Sequence, residues 1–215
     1  MLKRILIFCF VIWTFSTYTY AEENDRWIWV SSNSNYSVYV DKKTIQTEDD
    51  SLVYWKKAVW LNGFVSISKI KVNRAYQEYA TFYTKSQSPG AYPRENSSSN
   101  PYFYPIYPDS NAEKEANTVC RLLKLPTIFG VQEHKWKWFH SSDIDNSYIC
   151  TDAYQYNSRT KCFKVFYKTE RQGKTFYTDI DVDISGHAIY VNGRELMIVP
   201  DSFAEALYNA AKSII

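Results

Sequence analysis

The sequence has little glycine, little histidine and almost no net charge. Its 215 residues include 6 Gly, 2 Met and 3 His, and the net charge is +2. Because Lys and Arg are also spread along the chain, nucleic acid is not expected as a partner. No Gly-x-Ser-x-Gly sequence occurs, so the nucleophile turn of the α/β-hydrolases is not indicated.

Cysteine is scarce as well, and its spacing does not indicate a metal site. Beyond Cys9, which lies in the N-terminal apolar run, the chain has Cys120, Cys150 and Cys162 and no Cys-x-x-Cys pair. In an oxidising compartment pairing is favoured, although three cysteines leave one over and the connectivity stays open. We predict a Cys150–Cys162 disulfide across one loop, and Cys120 as a buried helix residue.

The N-terminal residues 1–21 have the pattern of a secretory signal peptide. Lys3 and Arg4 precede an apolar run over residues 5–15, and Thr19 and Ala21 are small residues at a cleavage site. A membrane-anchoring helix is the alternative, but the run is shorter than the roughly 20 residues that a span needs. We predict an exported protein, secreted, periplasmic or at the cell surface, with no membrane span after cleavage.

Aromatic residues are abundant. The chain has 19 Tyr, 12 Phe and 7 Trp, which together make 18% of its residues. Such residues fit the half-buried faces of β-sheets, and tyrosine also supplies rigid contact area at protein interfaces. The composition therefore favours strands and is compatible with a protein-binding role.

One helix-start signature occurs twice. Residues 106–117 and 198–209 share seven of twelve positions at an offset of 92 residues, including Pro-Asp-Ser-x-Ala-Glu. A Ser three residues before a Glu is the spacing of a capping box. We predict helix caps at Ser110 and Glu113, and at Ser202 and Glu205. The second helix is predicted to bury the stripe Phe203, Leu207, Ala210, Ala211 and Ile214.

Each of these helices follows a series of predicted antiparallel strands. Both series open on Trp-x-Trp, at Trp27 and Trp136, and Asn62-Gly63, Gln172-Gly173 and Asn192-Gly193 indicate hairpin turns. We predict an α+β fold of two tandem small units, each a curled antiparallel sheet packed by one C-terminal helix. The predicted segments are the signal peptide 1–21, a first unit 22–124, a linker 125–134 and a more divergent second unit 135–215.

The chain resembles the surface-adhesin protein E-like family. In the first unit the matching residues are Trp29, Tyr39, Asp41, Thr44, Ile45, Trp60, Pro108, Asp109, Ser110 and Glu113. In the second unit they are Trp138, Tyr148, Pro200, Asp201, Ser202 and Glu205, whereas Asp152-Ala153-Tyr154 departs from the pattern. The resemblance implies a small bacterial surface domain, a curled sheet packed by a helix, and binding to host extracellular proteins.

Two groups of polar residues have side chains that can act in catalysis. Asp179, Asp181 and Asp183 alternate along one strand, about 7 Å apart, and such a row could bind a cation or act in acid/base chemistry. The alternative is the solvated face of an edge strand. His140 precedes two serines and Asp143, but adjacency in sequence does not create a catalytic triad. We predict no catalytic, cofactor-binding or metal-binding residues.

The segment 92–107 combines aromatic residues with proline. We predict Tyr92, Tyr102 and Tyr104 as candidate partner-binding residues, since tyrosine is enriched at binding hot spots. The alternative is that residues 102–107 form a final strand whose aromatics fill the core. The sequence thus predicts a non-enzymatic protein that binds an extracellular matrix or envelope protein. A hydrolase that uses the acidic strand and a structural envelope module remain the alternatives.

Overall fold

The computed structural model describes residues 25–215, so the predicted signal peptide lies outside the described residues. Within this range, no helix is long and apolar enough to cross a membrane. The chain divides into two compact units. Unit 1 comprises residues 25–104 and Lys114–Leu125, and unit 2 comprises Pro105–Glu113 and Pro126–Ile215.

The first sheet is antiparallel and has the strand order β1-β2-β4-β5-β6-β7, with β3 paired to β4 and β8 paired to β6. In β5 the alternate residues Ser68, Ile70 and Val72 are buried, as expected for a strand with one face on a core. The predicted Asn62-Gly63 turn joins β4 to β5. The strands are β1 (Trp27–Ser32), β2 (Tyr36–Asp41), β3 (Gln46–Glu48), β4 (Ser51–Trp60), β5 (Val65–Asn73), β6 (Glu78–Gln87), β7 (Arg94–Ser97) and β8 (Tyr104–Pro105).

The second sheet runs antiparallel in sequence order, β14-β13-β12-β11-β10-β9. The turns at Gln172-Gly173 and Asn192-Gly193 connect neighbouring strands as predicted, and each glycine has a positive φ. Its strands are β9 (Trp136–Ser141), β10 (Asp145–Asn157), β11 (Cys162–Arg171), β12 (Lys174–Asp183), β13 (Ala188–Val191) and β14 (Arg194–Leu196).

Two α-helices lie within residues 27–215, α1 (Asn111–Leu122) and α2 (Phe203–Lys212). The predicted stripe of α2 is confirmed. Leu207, Ala210 and Ala211 are buried in one core with residues of β10 to β13, and Phe203 and Ile214 pack against that core. The prediction for Cys120 is also confirmed, because this α1 residue is fully buried with a free thiol.

The predicted α+β class is wrong. Strands account for 50% of the described residues and helices for 14%, which makes this a β-rich fold. The physical reason lies in the lengths of the elements. The two helices have 12 and 10 residues, whereas several β-hairpins pair strands of nine or more residues, such as β4 with β5 and β11 with β12.

Three finer predictions are also wrong. The Ser-, Asn- and Pro-rich composition of residues 86–101 predicts a loop, but this segment contains β7, which pairs with β6. The strand of the three aspartates is not an edge, because β12 pairs with both β11 and β13.

The predicted Cys150–Cys162 disulfide is not formed, and both thiols are free. Cys150 does not flank a loop but lies within β10, next to Ile149, which pairs with Tyr167. Tyr167 is five residues from Cys162 along β11, a distance of roughly 16 Å at strand rise. Cα atoms joined by a disulfide lie within about 7 Å, so the register separates the two thiols.

Candidate functional site

The first helix cap provides the starting point of a buried polar cluster in unit 2. The Glu113 N–H donates to Ser110 Oγ at 3.2 Å, and the Asp109 N–H donates to Glu113 Oε2 at 2.7 Å. Glu113 therefore reaches one residue further back than in the usual capping box, where it bonds the N–H of the capping serine. Asp109 has a φ of 63°, and this left-handed conformation turns its N–H toward the helix.

The second cap repeats this geometry. The Glu205 N–H donates to Ser202 Oγ at 3.2 Å, and the Asp201 N–H donates to Glu205 Oε2 at 2.8 Å. Asp201 also has a positive φ, of 59°. The repeated sequence thus builds the same cap twice, and the predicted cap residues take part in both.

Backbone pairing between the segment just before β9 and strand β10 brings the other members of the cluster together. Cys150 pairs with Trp136 in the sheet, and the Thr151 N–H donates to the Lys135 carbonyl at 2.9 Å. The segment before β9 therefore runs beside the middle of β10. Here the register of β10 against β11 shifts between Ile149 and Tyr154, which indicates a bulge.

His134 lies at the centre of this cluster, between two carboxylates and a thiol. Its Nε2 is 2.8 Å from Glu113 Oε1, and its Nδ1 is 3.0 Å from Asp152 Oδ1. The Cys150 Sγ is 3.7 Å from the same Nδ1 and donates to Asp152 Oδ1 at 3.3 Å. The Lys135 N–H donates to Asp152 Oδ2 at 2.9 Å and fixes this carboxylate.

The cluster is enclosed on most sides. The exposed fraction of the side chain is 1% for His134, 6% for Glu113 and 19% for Asp152. The ring of Phe129 packs edge-on against the imidazole, with 5.1 Å between centroids, and also contacts Phe166. The Asp152 carboxylate is therefore the member of the cluster closest to solvent.

These surroundings shift the ionisation of the cluster. Burial lowers the pKa of His134, but hydrogen bonds with Cys150, Glu113 and Asp152 outweigh it and raise the pKa to about 11. Burial raises the pKa of the Cys150 thiol. Burial also acts to raise the pKa of Asp152, yet its hydrogen bonds from His134, Cys150 and the Lys135 N–H hold it below the usual value.

This arrangement does not suit nucleophilic catalysis. The Cys150 side chain is fully buried, and both ring nitrogens of His134 face carboxylates, so the imidazole is not free to take a proton from the thiol. The same donor atoms do suit a bound cation, since a thiol, an imidazole and a carboxylate converge on a small volume.

The three aspartates of β12 do not converge on one catalytic site. The Tyr107 hydroxyl donates to Asp179 Oδ1 at 2.9 Å, and Asp183 Oδ1 accepts from the Gly186 N–H at 2.8 Å. Asp181 is half-buried, and burial raises its pKa. The surroundings thus differ among the three aspartates, and Asp179 and Asp183 hydrogen-bond to different groups.

His140 lies at an open cavity of about 420 Å³ in unit 2. Its ring packs on Phe203, with 5.2 Å between centroids. The Ser142 Oγ accepts from the Asp145 N–H in a turn, and Arg171 is held by two hydrogen bonds to the Asp145 carboxylate. Ser142, Asp145 and Arg171, which line the cavity, therefore hydrogen-bond to one another, and they form no catalytic triad with His140.

The predicted partner-binding tyrosines are exposed in unit 1. The exposed fraction is 95% for Tyr92, 73% for Tyr102 and 54% for Tyr104. The rings of Tyr102 and Tyr104 meet edge to face with 4.8 Å between centroids, and Tyr104 also approaches Tyr79 at 6.0 Å. The alternative, in which Tyr102 and Tyr104 fill the core, does not hold for these two residues.

Sequence reasoning does not find the polar cluster, because its members lie far apart in the chain. The sequence predicts a linker at His134 and only a helix cap at Glu113. The available signal was Cys150-x-Asp152 within a strand, which places both side chains on one face. Comparison of the chain with known protein families, with curated proteins and with solved structures found no match.

Proposed function

We propose that this protein acts by binding another protein, and that Tyr102 and Tyr104 form the centre of the contact surface. The observation that carries the proposal is the exposure of two mutually packed tyrosine rings, 73% and 54% exposed and 4.8 Å apart. We call these two residues the tyrosine pair. A pre-ordered aromatic surface loses little side-chain entropy on binding, which favours its use as an anchor.

The surroundings of the tyrosine pair support this role. Pro101 and Pro105 flank the pair and restrict the backbone, since proline fixes φ. In the same unit, β7 forms one end of the strand order of the first sheet, and its four residues are all exposed. An exposed strand edge offers unpaired backbone groups to a partner, so it can extend a contact that starts at the aromatic residues.

We further propose that the protein is exported from a bacterial cell and contacts a host extracellular protein or an envelope protein. The signal-peptide pattern of residues 1–21 and the resemblance to the surface-adhesin protein E-like family support this setting. The hydrolase alternative has no support from the acidic strand, because the three aspartates do not share a site. A structural envelope module would use the same surface on a partner from its own cell.

Retention assays can test this proposal. The protein would be immobilised and exposed to purified host matrix proteins and, separately, to envelope extracts. We expect the double substitution Tyr102→Ala and Tyr104→Ala to weaken binding of a retained partner at least about tenfold, because tyrosine hot spots contribute about 2 kcal/mol or more.

Phe176→Ala supplies a matched control, since Phe176 is 52% exposed on the second sheet. This control is expected to leave binding unchanged. Equal retention by the double variant and the unaltered protein would reject the tyrosine pair as the contact surface. A failure to retain any protein from either source would reject the binding function itself.

A further inference from the structure

We propose that His134, Cys150 and Asp152 form a binding site for a divalent transition-metal cation such as Zn²⁺. Glu113 would hydrogen-bond the other ring nitrogen of His134. The ligand atoms would be His134 Nδ1, Cys150 Sγ and an oxygen of Asp152. This inference is independent of the proposed protein-binding function, because the site lies in unit 2 and shares no residue with the tyrosine pair.

The spacing of the three ligand atoms fits one small tetrahedral ion. The Nδ1–Oδ1, Sγ–Oδ1 and Sγ–Nδ1 separations are 3.0, 3.3 and 3.7 Å. Zinc bond lengths of about 2.0–2.3 Å and tetrahedral angles require ligand atoms roughly 3.3–3.6 Å apart. Side-chain shifts of a few tenths of an ångström would therefore close the site around the ion.

Glu113 occupies the position of an outer-shell carboxylate. A histidine that binds a metal through one nitrogen usually donates its other N–H to a carboxylate, which fixes the ring and strengthens the ligand. Glu113 Oε1 lies 2.8 Å from His134 Nε2, on the side of the ring opposite the thiol. Its second oxygen accepts from the Asp109 N–H, so the helix cap holds the carboxylate in place.

Asp152 is oriented in the same manner. The Lys135 N–H donates to Oδ2, while Oδ1 faces both His134 and Cys150. Every proposed ligand thus has a partner outside the ligand set or a rigid strand position that fixes its direction. Such pre-organisation is typical of built metal sites.

The donor set selects the class of cation. A thiolate and an imidazole prefer zinc and similar transition metals, whereas calcium and magnesium take oxygen ligands. Three protein ligands leave a fourth tetrahedral position, and the partly exposed side chain of Asp152 marks the direction from which water could fill it. The site therefore has the composition of a three-ligand zinc centre.

Metal entry requires that the ligands give up their protons. Zn²⁺ would displace the Cys150 thiol proton and the proton on His134 Nδ1, and both protons would pass to solvent. The Cys150 thiolate and the Asp152 carboxylate would then offset the two positive charges of the ion, so its burial adds no uncompensated charge.

A buried ion cluster without a metal is the competing explanation, and cobalt spectroscopy distinguishes the two. The reduced, chelator-treated protein would be titrated with Co²⁺ and then with Zn²⁺. We expect one equivalent to bind, with a thiolate-to-cobalt charge-transfer band that Zn²⁺ abolishes. Cys150→Ser should eliminate the band, whereas Cys162→Ser should keep it, since Cys162 is also buried with a free thiol.

Asp152→Asn provides a second variant if Cys150→Ser does not fold, because Asp152 is the most exposed ligand. It should weaken zinc affinity at least about tenfold, and Glu113→Gln should weaken it about 10–100-fold. Absence of metal uptake by the unaltered protein would overturn the proposal. A band that persists in Cys150→Ser, or zinc affinity unchanged in Asp152→Asn, would overturn the assigned ligands.

Discussion

The two Pro-Asp-Ser-x-x-Glu caps have the same backbone geometry but different surroundings. In both copies the Ser-to-Glu bond measures 3.2 Å, and the Asp N–H bond to the glutamate measures 2.7 and 2.8 Å. The Glu113 side chain, however, is only 6% exposed and also contacts His134, whereas Glu205 is only partly buried. The Glu205 carboxylate therefore takes part in a helix cap alone, whereas the Glu113 carboxylate takes part in a helix cap and in the polar cluster.

This difference teaches that a local motif does not determine what its side chains contact. The capping box needs only one oxygen of the glutamate, and Oε2 takes this role in each copy. The other oxygen stays available for a long-range partner. In the first copy that partner is His134, which lies just before β9. The Glu113 carboxylate, held by the cap, therefore forms one side of the polar cluster.

The largest expected difference between the caps follows from replacing the glutamates. Gln can still accept the cap bond, but it removes the negative charge beside His134, whose pKa of about 11 keeps the ring charged. We expect Glu113→Gln to lower the free energy of unfolding by about 3 kcal/mol, as for a broken buried ion pair. Glu205→Gln should change it by less than about 0.5 kcal/mol. Urea unfolding of the chelator-treated protein measures both, and equal losses would contradict the difference between the caps.

Replacing the capping serines tests the feature that the copies share. Ser110→Ala and Ser202→Ala each remove one side-chain acceptor for a helix N–H. We expect each to lower the free energy of unfolding by about 1 kcal/mol. Thermal and urea unfolding report the change, and threonine at the same positions is the control that keeps a hydroxyl. An unchanged unfolding midpoint in either alanine variant would reject the capping role of that serine.

A pH series tests Glu115, the second buried glutamate of α1. Burial raises the pKa of Glu115, although its ion pair with Lys56 at 3.1 Å opposes the shift. A raised carboxyl pKa means that the folded state binds the proton more tightly than the unfolded state. Stability from this group is therefore present below its unfolded pKa and is lost as pH rises through the folded pKa.

Glu115→Gln removes this loss. We expect the variant to gain stability relative to the unaltered protein as pH rises above about 4.3, the ordinary pKa at which an unperturbed glutamate ionises. Unfolding midpoints at several pH values measure the gain. Lys56→Met is the complementary variant, and it should steepen the loss with pH because it removes the cation. A difference that stays constant across the series would contradict the raised pKa.

The smallest expected effect concerns the aspartates before each cap. Asp109 and Asp201 adopt a positive φ, a conformation that asparagine also adopts readily. We expect Asp109→Asn and Asp201→Asn each to change stability by less than about 0.5 kcal/mol. The Trp136 indole, which donates to Asp109 Oδ2 at 2.7 Å, keeps an acceptor in the first variant. A large loss in unfolding experiments at Asp109 alone would show that its charge contributes to the cluster.

Local features of this chain could be predicted from the sequence. The Asn-Gly turns, the caps and the apolar stripe of α2 depend on residues within a few positions of one another, and the structure contains each of them. The fold class was predicted incorrectly because helix signals are conspicuous in sequence even when the helices are short. Strand β10, thirteen residues long, gave no clear alternation because of its bulge.

The candidate metal site could not be predicted because it depends on register. His134 approaches Cys150 and Asp152 only because the segment before β9 continues beside β10, and it approaches Glu113 only because the cap turns toward it. None of these separations is a metal-binding spacing along the chain. The exposure of the tyrosine pair could not be predicted either, because the same residues also fit a final strand whose aromatics fill the core.

The path of the chain between the units affects any attempt at genetic dissection. The chain passes into unit 2 after Tyr104, returns to unit 1 after Glu113, and leaves it again after Leu125. Neither unit is a single continuous segment, so no one cut releases either of them whole. A gene split between codons 124 and 125 would encode Glu113 on one polypeptide and His134 on the other. Recovery of zinc binding on mixing the two halves would then require fragment complementation.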